Sequence, residues 1–430
     1  MAGQDLVGQR IKAVRRQRGL SQAQLAHPEL SDSYVSLIES GKRTPTPAVL
    51  ELLAAKLDCS LTYLINGVTA EQMEEIELGL RYAELALQNG EVVEARTRYA
   101  ELLDGGGLAG LPQLRQDAEY GLALATEACG DLDEAIALLD RIRRSDPSEV
   151  SPERHISIAI ALSRCHRERG DLTQAVEVAE RILGGAVRPA WNEKLIELGT
   201  TLLAAHVGRG DLLRAQQIVP ELLSAAESVG TPRAIVLAQW AAAIVAVEAG
   251  RGDEAVALMD KSLAIHSENA DVRSLAVFRC DYASVRLIAR PLDAKLCRDM
   301  LVRVEAEIQD SATTVLHKLR WALGLARAEL LLGAPDRAEP QIRAVCGMLD
   351  GIPSELQTDA RLVAGQTFAE LGRSEEALRE LAEAADLLES LPTTRYIAQS
   401  WLTTARILER VDEPDRSVEA YHKALDCVGL

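Results

Sequence analysis

The sequence predicts an all-α protein in which a small helical head precedes a long α-solenoid. Three observations carry this reading. The 430-residue chain is 47% hydrophobic yet only 3% aromatic, the balance of packed Ala- and Leu-rich helices rather than of β-sheet or disordered segments. A glycine turn recurs every 40 residues along much of the body, and an internal period of that size marks stacked repeats. Charge also divides the chain: residues 1–65 hold eight Lys/Arg and six Asp/Glu, and the remainder holds 39 and 59. The small head therefore suits an acidic polymer, and the large body repels one.

The head reads as four helices and a final turn. Leu6–Arg18 forms the first, with Leu6, Ile11 and Val14 in one apolar stripe and Arg10, Lys12, Arg15, Arg16 and Arg18 around it. Ser21 caps a short second helix over residues 22–26, because its hydroxyl accepts from backbone N–H groups that lack partners at a helix start. Ser31 caps a third helix through Ser40, with Tyr34, Val35 and Ile38 facing inward, and Gly41 stops it. Thr46 caps a fourth helix ending at Leu57, with Pro47 at the first helical position, where its missing N–H costs nothing. Residues 60–65 make the last turn.

The segments "LSQAQLA" and "LSDSYVSLIESGKRTPTPAVLELLAAKLDCSLTYLI", in this order, resemble the helix-turn-helix domain of the Xre/Cro/C1 repressor family over about residues 6–66. The resemblance implies a DNA-binding domain over residues 1–66, followed by a linker over 67–73. Carried over position by position, Gln22 would donate to a DNA phosphate from the start of the second helix. Asp32, Ser33 and Ser36 would read bases from the groove-facing side of the third helix. Lys42 and Arg43 would bind backbone phosphate, and Arg16, with the other first-helix arginines, would add local attraction. Tyr34 either touches a thymine methyl or phosphate or packs between the second and third helices. Glu39 is expected to pair inside the domain, with Arg10 or a backbone N–H. Two features depart from the family pattern. The turn "HPEL" (27–30) is short and lacks a glycine, and Pro28 fixes φ there. Asp32 places an acid where a neutral or basic residue is usual; it accepts, as from cytosine N4, and repels phosphate.

The body is counted by its turns. "GEVVEA", "GDLDEA", "GDLTQA", "GDLLRA" and "GRGDEA" start at Gly90, Gly130, Gly170, Gly210 and Gly250. A degenerate "RPLDAK" at Arg290 follows, then "GAPDRA" at Gly333, "GRSEEA" at Gly372 and "DEPDRS" at Asp412, nine units in all. In each, the turn ends one helix and its partner begins. Small residues lie seven positions before the turn, as at Ala83, Ser163 and Ala243, with Leu203 the exception, and five positions after it, as at Ala95, Ala175 and Ser417. Small residues on both facing helices are what a tight helical hairpin needs, so the body is an α-solenoid.

This pattern resembles the tetratricopeptide repeat over about residues 74–430. The period of 40 exceeds the family's usual 34, which points to longer second helices or connectors. "DGGGLAGLP" (104–112) is expected to be one such connector, a flexible inter-repeat link; no GK[ST] follows it, so it is not read as a phosphate loop.

Catalysis is excluded on motif grounds. No HExxH, GxSxG, Walker or Rossmann pattern stands in a supporting context, and neither a metal site nor a cofactor is expected. The seven cysteines are scattered without a CxxC and read as buried thiols of a reducing compartment. The charged N-terminal stretch predicts no signal peptide. The most apolar run, residues 234–249, contains Gln239 and Glu248 and is too short and polar to span a bilayer. A cytoplasmic, nucleoid-associated protein is expected.

An Xre-type head on a tetratricopeptide body resembles the peptide-responsive quorum-sensing regulators of the RRNPP class. The resemblance implies a right-handed superhelix of repeats and a homodimeric transcriptional regulator on a palindromic operator in double-stranded DNA. It also implies an effector, a short signalling peptide or a metabolite, held in the concave channel and setting DNA affinity. In that class's register, the polar channel residues would be Arg164, Arg167, Asp281, Arg320, Arg327, Gln366 and Arg406. Arginines so placed suit a carboxylate by bidentate pairing. The body departs from the class in holding just three asparagines, Asn89, Asn192 and Asn269, where the class clamps peptide backbone with Asn. Two other readings stand beside this one: a DNA-bound adaptor whose repeats hold another protein, and a ligand-independent repressor whose repeats only dimerise.

Overall fold

The computed structural model describes residues 2–144, 151–185, 190–309, 315–349, 352, 354–391 and 393–429. These residues are all-α: among them are 24 α-helices and two 3-10 turns, and no strand. They gather into two compact units, one of residues 1–128 and one formed chiefly from residue 129 onward.

The first unit begins with the head: α1 (Ala2–Gln17), α2 (Gln22–Ala26), α3 (Asp32–Glu39), α4 (Pro47–Leu57) and α5 (Leu61–Asn66). The expected caps are present. The Ser21 hydroxyl accepts from the Gln24 N–H, and the Gln24 side chain accepts in return from the Ser21 N–H at 2.8 Å. Ser31 accepts from the Tyr34 N–H at 3.2 Å, and Thr46 from the Val49 N–H at 3.4 Å. Gly41 takes the left-handed conformation, with φ 71°, just beyond α3. Ile11, Leu25, Val35, Ile38, Leu53, Leu57 and Leu64 close one core, each contributing about 2 kcal/mol on burial. Helix α1 crosses α3 at Gly8, where a Cβ would lie 2.2 Å from the Ile38 carbonyl oxygen. In the glycine-free turn after α2, Lys56 of α4 satisfies the open carbonyls. Its Nζ donates to Leu25 at 3.2 Å, Ala26 at 3.3 Å and His27 at 2.7 Å, and pairs with Glu29 at 2.5 Å.

Only Gly67–Thr69 separate α5 from α6 (Ala70–Gln88), which Thr69 caps; α7 (Val92–Asp104) and α8 (Pro112–Ala128) follow. The glycine-rich connector, expected to be a flexible link, is packed instead. Residues Gly107–Gly110 form a 3-10 turn, and Leu108 and Leu111 are buried beside it. Gly110 lies so close to the head that a Cβ there would sit 1.7 Å from the Asn66 carbonyl oxygen and 2.5 Å from Arg10 Nη2. Arg10 in turn donates to the Leu64 carbonyl at 3.3 Å and to the Ile65 carbonyl. The glycines allow a close approach that any side chain would block.

The second unit continues with α9 (Leu132–Arg143), α10 (Pro152–Glu168), α11 (Leu172–Leu183), α12 (Glu193–Arg209) and α13 (Leu212–Val229). Then come α14 (Pro232–Glu248), α15 (Gly252–Asn269), α16 (Val272–Ala289), α17 (Ala294–Arg303), α18 (Glu305–Gln309) and α19 (Val315–Leu331). The last are α20 (Pro335–Cys346), α21 (Ser354–Glu370), α22 (Ser374–Ser390), α23 (Arg395–Arg410) and α24 (Pro414–Asp426). First helices are uniform, from 16 residues in α23 to 18 in α16. Second helices vary, from 10 residues in α17 to 18 in α13 and α15. The long period is therefore met sometimes by a longer second helix and sometimes by a connector.

The small residues face each other as the pattern requires. Ser163, Ala175, Ala215, Ala243, Ala255, Ala326 and Ala338 are fully buried. Two hairpins add a hydrogen bond across that contact: Ser163 Oγ donates to the Ala175 carbonyl at 2.8 Å, and Ser417 Oγ to the Ala405 carbonyl at 3.1 Å. The degenerate unit departs in register: a 3-10 turn over Pro291–Asp293 leads into α17, and Ala294, rather than residue 295, is the buried small residue. Late in the chain α23 returns to touch α12, and Arg395 donates to the Glu248 carbonyl at 3.4 Å.

Candidate functional site

The head's candidate interface is built on one face of α3. Val35, Ile38 and Glu39 are buried, which leaves Asp32, Ser33, Ser36 and Leu37 exposed on the opposite side. Tyr34 is half-buried against the core, and the Arg43 guanidinium stands 5.8 Å from its ring centroid. The sequence reading missed Leu37, which lies one helical turn from Ser33 and is 40% exposed. That spacing was the available signal.

What fixes α3 is a buried ion pair. Arg15 Nε and Nη2 bond the Glu39 carboxylate at 2.5 and 2.9 Å, and Gln22 Nε2 donates to it at 2.8 Å. Glu39 thus pairs with Arg15 and not with Arg10, whose guanidinium is spent on the carbonyls at the end of α5. Burial pushes the Glu39 carboxyl up, but the hydrogen bonds from Arg15 and Gln22 outweigh it and hold the group below the usual carboxylate range. Arg18 is tied to Asp58 at 3.0 Å. Of the first-helix arginines, Arg16 alone is exposed with no ion pair among the described residues, and Lys42 and Arg43 beyond α3 are equally uncommitted to acids. Gln22 sits half-buried with its amide on Glu39.

The second unit holds a cavity of about 730 Å³. Its walls come from the starts of α12, α14 and α16, from the end of α15 and from α19. Trp240, Phe278 and His266 form an aromatic side, with the His266 ring stacked on Phe278 at 4.8 Å between centroids. Asp281 and Arg320, both read from sequence as channel residues, line this same space. Asp281 is half-buried and has no hydrogen-bond partner among the described residues. Burial raises its pKa, and the charge of Arg320 offsets part of that.

The other five expected channel residues lie elsewhere. Arg327 is half-buried and bonds Asp359, and Gln366 bonds Glu370 at 3.0 Å. Arg406 is exposed on α23. Arg164 is half-buried and engaged, and Arg167 lies 3.9 Å from Glu168. Spacing places residues on a face, but it does not say which faces meet across three repeats. The seven cysteines are free; burial pushes Cys280 up to about 12 and Cys297 and Cys346 up to about 11, so these thiols are poor nucleophiles. Among the described residues, no group of acids, histidines and cysteines is arranged to hold a metal ion, and no helix is long and apolar enough to cross a membrane.

A helix-turn-helix family model matches residues 11–64, and a tetratricopeptide-repeat model matches residues 80–150. The immunity repressor protein of Bacillus phage phi105 is 32% identical over 122 residues, which make up 28% of this chain and 82% of that protein. A Rap protein complexed with competence and sporulation factor aligns over 83% of this chain and 98% of its own, at 11% identity and a TM-score of 0.55; that likeness shows the repeat fold. Bacillus thuringiensis PlcR, solved with the peptide PapR7 and DNA, aligns over 71% of this chain and 100% of its own, at 17% identity and a TM-score of 0.31.

Proposed function

Since the chain belongs to the helix-turn-helix family of the phage immunity repressor, we propose that it is a transcriptional regulator, not an enzyme, whose head binds operator DNA and whose repeats take a small effector. The observation that carries this reading is the exposed face of α3, held in place by the buried Arg15–Glu39 pair and flanked by uncommitted Lys42 and Arg43. In this reading Asp32, Ser33, Ser36 and Leu37 meet base edges, and Lys42, Arg43 and Arg16 meet phosphate. Gln22 serves by orienting Glu39, and Tyr34 by supporting Arg43. The regulator acts as a homodimer in the cytoplasm, its two heads reading half-sites about one helical turn (~34 Å) apart. The effector, a signalling peptide or metabolite, enters the cavity of the second unit and changes DNA affinity.

Selection of bound fragments from host genomic DNA with the full chain tests the reading. A two-fold symmetric motif, lost on Ser36→Ala with Lys42→Ala, is the expected result. Retention of fragments without any common motif sinks it.

A further inference from the structure

We infer that the cavity of the second unit binds a compact zwitterion bearing an aromatic group, an aromatic amino acid either free or within a peptide of two or three residues. The inference rests on the reading of this cavity as the effector site. Elsewhere in the unit acids and bases close on each other: Arg286 reaches Asp293 at 2.7 Å, and Arg361 reaches Glu380 at 2.6 Å. Asp281 and Arg320 open onto one space and form no ion pair with each other. A ligand with both charges completes each of them: its ammonium donates to Asp281, and its carboxylate accepts from Arg320. Of the other two charges in the lining, Arg233 is held by Glu197 at 3.3 Å and Glu193 stands at the start of α12, so Asp281 and Arg320 are the pair left for a ligand with both charges.

The aromatic group packs on Trp240 and Phe278, which present ring surface to the same space. Size agrees. A cavity of about 730 Å³ falls in the range of small-molecule sites.

Calorimetric titration of the full chain tests the assignment, with L-tryptophan, the dipeptide Phe-Gly, tryptamine and indole-3-propionate as probes. Tryptamine lacks the carboxylate, and indole-3-propionate lacks the ammonium. L-tryptophan or Phe-Gly is expected to saturate the protein, with each singly charged indole at least about tenfold weaker. The tighter of the two zwitterions tells free amino acid from peptide. Asp281→Asn should weaken the zwitterion about tenfold or more and leave indole-3-propionate unchanged. Arg320→Gln, at an exposed position, should do the converse and needs no buried replacement. Equal binding of all three indoles, or no saturation by any probe at millimolar concentration, overturns the inference. DNA binding separates the two levels. If operator affinity responds to a low-molecular-weight host fraction in Asp281→Asn as it does in wild type, the zwitterion site falls and the receptor reading stands. If no such fraction alters operator affinity in wild type, the receptor reading falls.

Discussion

Arg15 and Glu39 are buried together where α1 meets α3, and replacing one leaves the other charged and unpaired. Glu39→Ala is expected to destabilise the head by about 3 kcal/mol, measured as a shift of its denaturant midpoint. The pair also sets an acid limit. Glu39's folded pKa lies below its ordinary value of 4.5, so its contribution is full above that pH and is lost as pH falls through the folded value. Melts between pH 7 and pH 3 should show this loss in wild type and not in Glu39→Gln. Asp32 is exposed at the start of α3, and in the proposed interface it faces DNA rather than the core. Asp32→Ala should raise affinity for nonspecific DNA about fivefold, the equivalent of about 1 kcal/mol of repulsion in water, with an unchanged melting temperature. Anisotropy titration against random-sequence duplex reads it. The caps and the inward residues of α3 were legible because each depends on its near neighbours. The partner of Glu39 was not, because Arg10 and Arg15 both flank the apolar stripe of α1 and only the crossing at Gly8 decides which one reaches it.

Within the hairpins, the contact between facing helices is set by alanine. Ala243 of α14 and Ala255 of α15 are both fully buried. Ala243→Leu should cost about 2 kcal/mol through overpacking, whereas Ala264→Leu on the exposed side of α15 should change stability by less than about 0.5 kcal/mol; thermal melts of the two variants make the comparison. These positions were readable because the glycine turns from Gly90 to Gly250 recur every 40 residues. The cavity was not readable in the same way. Its acid, its base and its rings stand at 281, 320, 240, 266 and 278, and they meet through the stacking of repeats, which no spacing within one repeat encodes.

For the whole molecule, charge poses a question that the arrangement of the head resolves. The chain carries a net charge of -18, yet the cations beyond α3 are left without acid partners, while Arg15 and Arg18 are neutralised within the fold. Attraction is thus confined to a few side chains. If each of two heads places Lys42, Arg43 and Arg16 on phosphate, the logarithm of operator affinity should fall with the logarithm of salt at a slope of roughly -5. Lys42→Ala, present in both heads, should reduce that slope by about 2. A salt-independent affinity would remove these residues from the interface.

The junction at Gly110 has a mechanical meaning. Asn66, Arg10 and the glycine turn meet without room for a side chain, so the head has no wrist where it joins α6. A twist imparted to α6–α8 therefore meets the head through a packed contact, more like a keyed shaft than a free hinge. In the proposed dimer this would turn a control of chemistry into a control of gauge: a shift of a few ångströms against a half-site spacing of ~34 Å would take one head off its track while the other stays on.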